Sequence, residues 1–232
     1  MKHSIRTLIS SRKLFFQTML FLLMAAVLLL LFFGRSVAFI SSDAYHPFWA
    51  NVFFINYTFM GNGLFVICLA SLFIFRFKRK QQGLAILYGF LLSGFVVQLL
   101  KNINSLSHPT VFFEQGQNFF LPNNILLTDH GSFISGHTAT AFALATVLMM
   151  VVKDPKWQLP ILIAALLLGY SRMYLAQHYL LEIMTGAVLG TVSGIAAVYI
   201  VYYFKGYGFY FKKFFNMHKS GAISRERNIQ TV

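Results

Sequence analysis

Acidic residues are scarce in this chain of 232 residues, which has six Asp and Glu against 19 Lys and Arg and a formal net charge of +13. Charged residues of both signs make up only 11% of the sequence, whereas 57% of it is hydrophobic. A disordered chain needs the opposite balance, and an ordinary soluble domain carries about 25% charged residues. The composition therefore excludes the first class, argues against the second, and indicates a protein whose solvent is lipid.

Cysteine is nearly absent as well. The single residue, Cys68, excludes an intramolecular disulfide and a cysteine zinc cluster. Because Cys68 lies within an apolar run, we expect it to be a small buried hydrophobic residue.

Long apolar runs dominate what is present. A membrane-spanning helix needs about 20 mostly apolar residues, and six segments come close to this: residues 14–33, 52–75, 83–100, 136–152, 158–173 and 180–204. The second is interrupted by Asn56, Gly61, Asn62 and Gly63. No linker or internal repeat separates the runs. The sequence predicts an all-α fold, with one polytopic domain of six transmembrane helices over residues 1–204 and a basic cytoplasmic tail over residues 205–232.

The first run has some features of a signal peptide, namely a basic start and the small residues Ser36-Val37-Ala38. Its apolar stretch exceeds the roughly 7 to 15 residues that are usual for a cleaved segment. We therefore expect a retained helix.

The basic residues are distributed unevenly about the six runs. With the N-terminus in the cytoplasm, all but three of the 19 Lys and Arg fall in inner segments, and the exceptions are Arg35, Lys101 and Arg172. Since Lys and Arg resist translocation, both termini are predicted to be cytoplasmic. The inner loops and the tail would contact the anionic inner leaflet, and a nucleic-acid partner is disfavoured. No obligate protein partner is indicated.

Two of those exceptional cations, Lys101 and Arg172, end apolar runs on the predicted outer side. The residues that begin the fourth and sixth runs lie on the same side, and they are Ser135, Gly136, His137, His178 and Glu182. A charge at the membrane boundary is costly unless it is used or reaches the interface. Each of these residues is therefore a candidate for a functional site.

The residue types suit the binding of a phosphate group. Arg172 can hold phosphate through two parallel hydrogen bonds. A helix that begins at Ser135 directs free N–H groups and the positive end of its dipole outward, and Gly136 allows a close approach to the backbone. These residues thus predict an anion-binding site on the outer side of the membrane.

The histidines suit phosphoryl transfer. His178 and Glu182 are four residues apart and share a face of a helix. A carboxylate bonded to one ring nitrogen fixes the tautomer and makes the other nitrogen a better base. His178 then becomes a candidate nucleophile, and His137 a candidate general acid.

Three segments together resemble the signature of the type 2 phosphatidic acid phosphatases, whose superfamily also contains the vanadium haloperoxidases. They are Lys101-x6-His108-Pro109, Ile134-Ser135-Gly136-His137 and Ser171-Arg172-x5-His178-x3-Glu182. The family pattern is Lys-x6-Arg-Pro, Pro-Ser-Gly-His and Ser-Arg-x5-His-x3-Asp. The chain departs from this pattern in three places, where His108 replaces Arg, Ile134 replaces Pro and Glu182 replaces Asp.

The resemblance implies a role for each matching residue. His178 would attack phosphorus and become phosphohistidine, Glu182 would orient it, and His137 would protonate the leaving oxygen and then activate water. The phosphate oxygens would be held by Lys101, His108, Ser135, Gly136 and Arg172. The family needs no metal or other cofactor.

We therefore expect a lipid phosphatase in the inner membrane of a bacterium, with its site facing the periplasm. The expected substrate is a phosphomonoester or diphosphate of an envelope lipid, such as undecaprenyl diphosphate, lipid A or a phospholipid phosphate. Two alternatives stay open. One is a lipid-to-lipid phosphotransferase, and the other is a catalytically decayed protein that only binds lipid phosphate.

Three glycines repeat at four-residue spacing in the sixth run: Gly186, Gly190 and Gly194. Small residues at this spacing allow close packing of membrane helices. We interpret them as a packing surface without a catalytic role.

Overall fold

The computed structural model describes residues 11–33, 47–103, 134–152, 154–175 and 177–203. Within these ranges there are seven α-helices and no strand. We number them α1 (Lys13–Phe33), α2 (Phe48–Tyr57), α3 (Gly63–Ser71), α4 (Lys80–Ile103), α5 (Gly136–Val151), α6 (Gln158–Tyr174) and α7 (Leu180–Tyr203). The all-α prediction is confirmed. His108 and the predicted basic tail lie outside the described residues.

All six predicted runs are helical, but their lengths differ. By length and apolar composition α1, α4 and α7 are able to cross a membrane. The helices α5 and α6 have 16 and 17 residues, which is shorter than the roughly 20 of an ordinary span. The six-span count therefore stays a prediction, while the membrane character of the chain is established.

The second predicted run is broken into two helices. After α2 the chain forms a 3-10 turn at Thr58–Gly61, and α3 continues into a π-helical turn at Leu72–Arg76. The two halves meet at an angle of 61°. At the break Asn62 adopts an extended backbone, and its side chain accepts a hydrogen bond of 3.2 Å from the N–H of Leu64. This side-chain cap starts α3 in a new direction.

Helix α5 forms the centre of the bundle. Its residues are buried on nearly all sides, as expected for a helix that is apolar all round. It packs most extensively against α7, and also against α4 and α6. The three helices that surround α5 contain three more residues of the predicted site, Lys101, Arg172 and Glu182.

The predicted glycine surface of α7 is confirmed. A Cβ added at Gly186 would lie 2.7 Å from the carbonyl oxygen of Ser135, and one at Gly194 would lie 2.7 Å from that of Ala143. The backbone of Ala139 approaches Gly190 even more closely. Because only glycine permits this approach, α7 lies directly against α5, and the two helices begin side by side.

The interpretation of Cys68 as a buried residue is wrong, because its side chain is exposed on the surface of α3. Most side chains of α1 are also exposed or half-buried, and Phe15 is the one buried residue of this helix. Lipid tails are as apolar as a protein core. An apolar residue in a membrane helix can therefore face either environment, and hydrophobicity alone does not predict which.

Two contacts define the end of the bundle that lies away from the predicted site. The guanidinium of Arg12, just before α1, donates to the carbonyl oxygen of Val152, just after α5. The N–H of Phe15 donates to the side-chain oxygen of Gln158 at 3.2 Å. The start of α1, the end of α5 and the start of α6 thus meet at one end. The end of α6 and the starts of α5 and α7 form the other.

Candidate active site

A tight turn joins α6 to α7 and brings Arg172 to His178. The carbonyl oxygen of Arg172 accepts hydrogen bonds from the N–H groups of Gln177 at 3.0 Å and of His178 at 3.3 Å. The N–H of Leu175 bonds to the carbonyl oxygen of Ser171 at 3.0 Å. These bonds satisfy carbonyl groups that the end of a helix would otherwise leave without partners. They also explain the spacing of five residues between Arg172 and His178.

The side chains of His178 and Glu182 are in direct contact. The distance from Nδ1 of His178 to Oε2 of Glu182 is 2.7 Å, and the two residues are only 5% and 4% exposed. The contact does not have the predicted form, since α7 begins at Leu180 and His178 precedes the helix. The carboxylate reaches back across the start of the helix instead of along one face.

Glu182 has a second partner that explains its length. It is the third residue of α7, and its Oε2 also accepts a hydrogen bond of 3.2 Å from the N–H of Tyr179. A glutamate in this position of a helix is one half of a capping box. Its negative charge is also favourable at the positive end of the helix dipole. The longer side chain, in place of the family aspartate, serves both the cap and the histidine.

The contact with Glu182 determines the chemistry of His178. Because a carboxylate accepts hydrogen bonds, the shared proton belongs to Nδ1 of the imidazole. The lone pair of the neutral ring is then on Nε2. Nε2 is therefore the atom of His178 that can act as a nucleophile.

The second motif is bonded to the third through the backbone. The N–H of Ser135 donates to the carbonyl oxygen of Glu182 at 3.3 Å. The fully buried Ser135 side chain caps α5, since its Oγ accepts from the N–H of Thr138 at 3.3 Å and from the hydroxyl of Thr138 at 2.9 Å. The Ser135 hydroxyl accepts both of these bonds, so its hydrogen can still be donated to a phosphate oxygen.

Gly136 has space around it. A Cβ added there would meet only Val97, at 3.8 Å, among the described residues. The preceding Ile134 is buried and packs with Val97 and Ala139, so the residue that replaces the family proline anchors this segment to α4. Packing among the described residues does not require a glycine at position 136. The space suits a ligand that approaches the backbone.

The two cations lie at the ends of their helices, as predicted. Arg172 is in the last turn of α6 and is only 9% exposed. Its Nη1 donates to the hydroxyl of Thr58 at 3.0 Å, and its buried Nε has no hydrogen-bond partner among the described residues. Lys101 is in the last turn of α4 and is half-buried. Lys101 lies within range of the charges of both Arg172 and Glu182.

His137 completes the cluster. It lies in the first turn of α5 and interacts electrostatically with Arg172, His178 and Lys101. Its backbone lies against the 3-10 turn of the broken span, where a Cβ added at Gly61 would be 3.0 Å from Cβ and 3.1 Å from the carbonyl oxygen of His137. The structure thus brings together seven of the eight predicted site residues. The eighth, His108, lies outside the described part of the chain.

The balance of charge in this cluster favours an anion. Lys101, Arg172 and the start of α5 are positive, and the carboxylate of Glu182 is held by His178 and by the N–H of Tyr179. In the described ranges no group of three His, Cys, Asp or Glu residues has a geometry that could hold a metal ion. A phosphate group is the ligand that these residues suit best.

The sequence did not predict that Thr58 contacts Arg172 or that Gly61 lies against His137. The glycines near position 61 indicate an interruption of the second run. Nothing in the sequence indicates that the interruption packs against the site. That contact depends on how α2 and α3 fold over α5 and α6.

Comparison with known protein families matches residues 82–205 to the PAP2 superfamily. The chain belongs to this superfamily. The matched range covers more than half of the chain and includes every predicted site residue. The crystal structure of LpxE from Aquifex aeolicus is similar, with 30% sequence identity and a TM-score of 0.59, over 70% of this chain and 93% of that one. No curated protein matches the chain.

Family and fold together identify the protein as a lipid phosphatase of the membrane, of the type 2 phosphatidic acid phosphatase kind. The resemblance stated from the sequence is thereby confirmed. The chain is thus a phosphatase, which is a hydrolase.

Proposed function

We propose that this phosphatase hydrolyses a phosphomonoester or diphosphate of an envelope lipid through a covalent phosphohistidine at His178. The observation that carries the proposal is the buried contact of 2.7 Å between His178 and Glu182. It leaves Nε2 as the nucleophilic atom, in a cluster that also contains Arg172, Lys101 and His137. A histidine held only for structure would need neither these cations nor a second histidine.

The first step transfers the phosphoryl group to the enzyme. Nε2 of His178 attacks phosphorus, and the bond from phosphorus to the leaving oxygen breaks. His137, protonated when the phosphate anion is bound beside it, gives its proton to that oxygen, which leaves as a lipid alcohol or, from a diphosphate, as a lipid monophosphate. Glu182 stabilises the positive charge that develops on His178.

The second step releases phosphate. The now neutral His137 takes a proton from water, and the water oxygen attacks phosphorus while the bond from phosphorus to nitrogen breaks. His178 regains its lone pair, inorganic phosphate leaves, and His137 is again protonated. One residue thus serves as acid and then as base.

Charge stabilisation in both steps falls to the surrounding donors. Arg172 and Lys101 would neutralise the phosphate oxygens, and the hydroxyl of Ser135 and the backbone at Gly136 would add hydrogen bonds. By resemblance His108 would join them. These donors supply the positive charge, so the proposal requires no metal ion.

For the location we propose the inner membrane of a bacterium, with both termini in the cytoplasm and the site facing the periplasm. The support is the distribution of Lys and Arg, all but three of which fall on the other side. Candidate substrates are undecaprenyl diphosphate, lipid A and phospholipid phosphates, which are all envelope lipids.

The test is phosphate release by the purified protein in detergent with EDTA present. A panel of lipid phosphates and diphosphates would be compared for wild type, His178→Ala and His218→Ala, a control at a histidine outside the predicted site. We expect release by wild type and His218→Ala and none by His178→Ala. Equal release by His178→Ala would contradict the phosphohistidine.

The same assay separates the two alternatives. With a second lipid present, labelled phosphate on that lipid instead of in solution would identify a phosphotransferase. Binding of lipid phosphate without any product would identify a decayed site. The intact contact between His178 and Glu182 favours turnover over decay.

A further inference from the structure

Thr58 makes a contact that the three family motifs do not explain. Its hydroxyl accepts a hydrogen bond of 3.0 Å from Nη1 of Arg172, and the two residues are 114 positions apart in the sequence. Thr58 is the first residue of the 3-10 turn that breaks the second predicted span. It lies outside the residues 82–205 that match the superfamily. The broken span therefore adds a contact to the site from a part of the chain that the family pattern does not cover.

The turn that carries Thr58 is held against α6 by other contacts as well. The hydroxyl of Tyr57 donates to the carbonyl oxygen of Ala164 at 3.0 Å, and that of Tyr174 donates to the side-chain oxygen of Asn51 at 2.8 Å. The ring centroids of Phe54 and Tyr174 are 4.4 Å apart. These contacts position the backbone of the turn without the arginine. Loss of the Thr58 hydroxyl should therefore change the orientation of Arg172 more than the position of the turn.

The contact leaves one edge of the guanidinium for a ligand. A guanidinium has five N–H donors in a planar fork, and two of them, on Nε and Nη2, are parallel and match two oxygens of a phosphate. Nη1 is on the other side of the group and is bonded to Thr58. Nε is buried and has no hydrogen-bond partner among the described residues. A donor buried in this way costs free energy unless a ligand satisfies it.

We propose that Thr58 is a positioning residue, which orients Arg172 so that Nε and Nη2 bind two oxygens of the substrate's phosphate group. The inference rests on the proposed function, since it takes Arg172 to be a phosphate ligand. It adds a residue that acts through Arg172 and does not itself touch the substrate. The broken span is then part of the catalytic architecture.

The first test compares two substitutions at Thr58 with a matched control. Thr58→Val keeps the shape of the side chain but removes the acceptor, and Thr58→Ser keeps the hydroxyl. Thr191→Val is the control, because Thr191 is buried and its hydroxyl bonds to Ala187 of its own helix at 2.8 Å. We expect Thr58→Val to lower kcat/KM about tenfold, the effect of one hydrogen bond to a charged group. Thr58→Ser and Thr191→Val should stay within about threefold of wild type.

The second test asks whether Thr58 acts through Arg172. Binding of inorganic phosphate would be measured from the protection that it gives against thermal unfolding, which needs no turnover. Thr58→Val should weaken phosphate binding about tenfold in the wild-type background. It should have no further effect when combined with Arg172→Ala.

Three results would overturn the proposal. They are an equal effect of Thr58→Val and Thr191→Val, a failure of Thr58→Ser to restore activity, or independent effects of Thr58→Val and Arg172→Ala on phosphate binding. A wild type that binds phosphate but does not hydrolyse lipid would contradict the proposed function and leave the role of Thr58 testable by binding. A wild type that does neither would contradict both.

Discussion

Helices α5 and α7 begin side by side at the site, but their N-termini are used in opposite ways. The first turn of α7 contains Glu182, whose carboxylate accepts the N–H of Tyr179 and holds His178. The first turn of α5 contains no acidic residue, and Gly136 leaves space beside its backbone. One terminus is satisfied by the protein's own anion, whereas the other has no acidic residue, and we propose that it binds the anion of the substrate.

The N-terminus of a helix can thus serve either of two functions. The N–H groups at a helix N-terminus need an acceptor, and the dipole makes an anionic acceptor favourable. When the acceptor is an internal carboxylate, the terminus orients a nucleophile. When the only side-chain cap is a neutral serine, as at α5, and a glycine opens the surface, the terminus can bind phosphate.

The largest effect is expected at the satisfied terminus. Glu182→Gln removes the negative charge that sets the tautomer of His178 and stabilises its positive form. We expect kcat to fall on the order of ten-thousandfold, as happens when the carboxylate partner of the histidine in a catalytic triad is neutralised. Steady-state kinetics on the lipid substrate would measure this.

Glu182→Asp is the matched control for that change. It restores the family residue and keeps the charge, so it should retain more activity than Glu182→Gln. We expect the shorter side chain to keep the contact with His178 and to lose the one with the N–H of Tyr179. We expect a loss of about 1 kcal/mol in the free energy of unfolding, the usual size of a cap. If Glu182→Gln were nearly as active as wild type, the carboxylate at the start of α7 would have no role in orienting His178.

An intermediate effect is expected at the open terminus. Gly136→Ala places a methyl group where we propose that the phosphate approaches, and the nearest described atom outside its own helical turn, on Val97, is 3.8 Å away. The variant should fold normally and lose about 30-fold in kcat/KM, which corresponds to about 2 kcal/mol. Thermal unfolding and kinetics on the same preparation would show both results.

Gly190→Ala is the control for Gly136→Ala, because we expect it to lose stability and keep its activity. The backbone of Ala139 leaves no room for a side chain at position 190, so this variant should lose about 1 to 3 kcal/mol of stability. Its folded fraction should hydrolyse lipid at the wild-type rate. If Gly136→Ala lost stability and kept its activity, the open terminus would be a packing feature and not a phosphate site.

The smallest effect is expected at the buried Ser135, which caps α5. Ser135→Ala removes the acceptor of the Thr138 N–H and a donor to phosphate. We expect about 1 kcal/mol less stability and a loss of activity of about fivefold. A loss of stability with unchanged kcat/KM would restrict Ser135 to the role of a cap.

The sequence alone predicted much of this architecture. The six helical runs, the packing of Gly186, Gly190 and Gly194, and the family itself are confirmed. These features follow from apolar length, small-residue spacing and motif order, which are all local properties of the chain. The positions of Lys101 and Arg172 in the last turns of their helices follow from the same local signals.

Other features depend on tertiary structure and were missed or mispredicted. The contact of Thr58 with Arg172 requires the broken span to fold over α6, and no local pattern encodes that. His178 precedes its helix because a tight turn from Arg172 sets the start of α7 at Leu180. Cys68 was assigned to the interior because apolar character does not distinguish a protein core from lipid.

The most direct test of the account is to trap the proposed intermediate. Wild-type protein would be mixed with a lipid substrate labelled in its phosphate, quenched in alkali within the first turnovers, and analysed by mass spectrometry. We expect a labelled phosphoryl group on His178 that is stable in alkali and lost in acid, and no label on His178→Ala. Continued hydrolysis with no labelled protein, or with the label on another residue, would contradict the central role of His178.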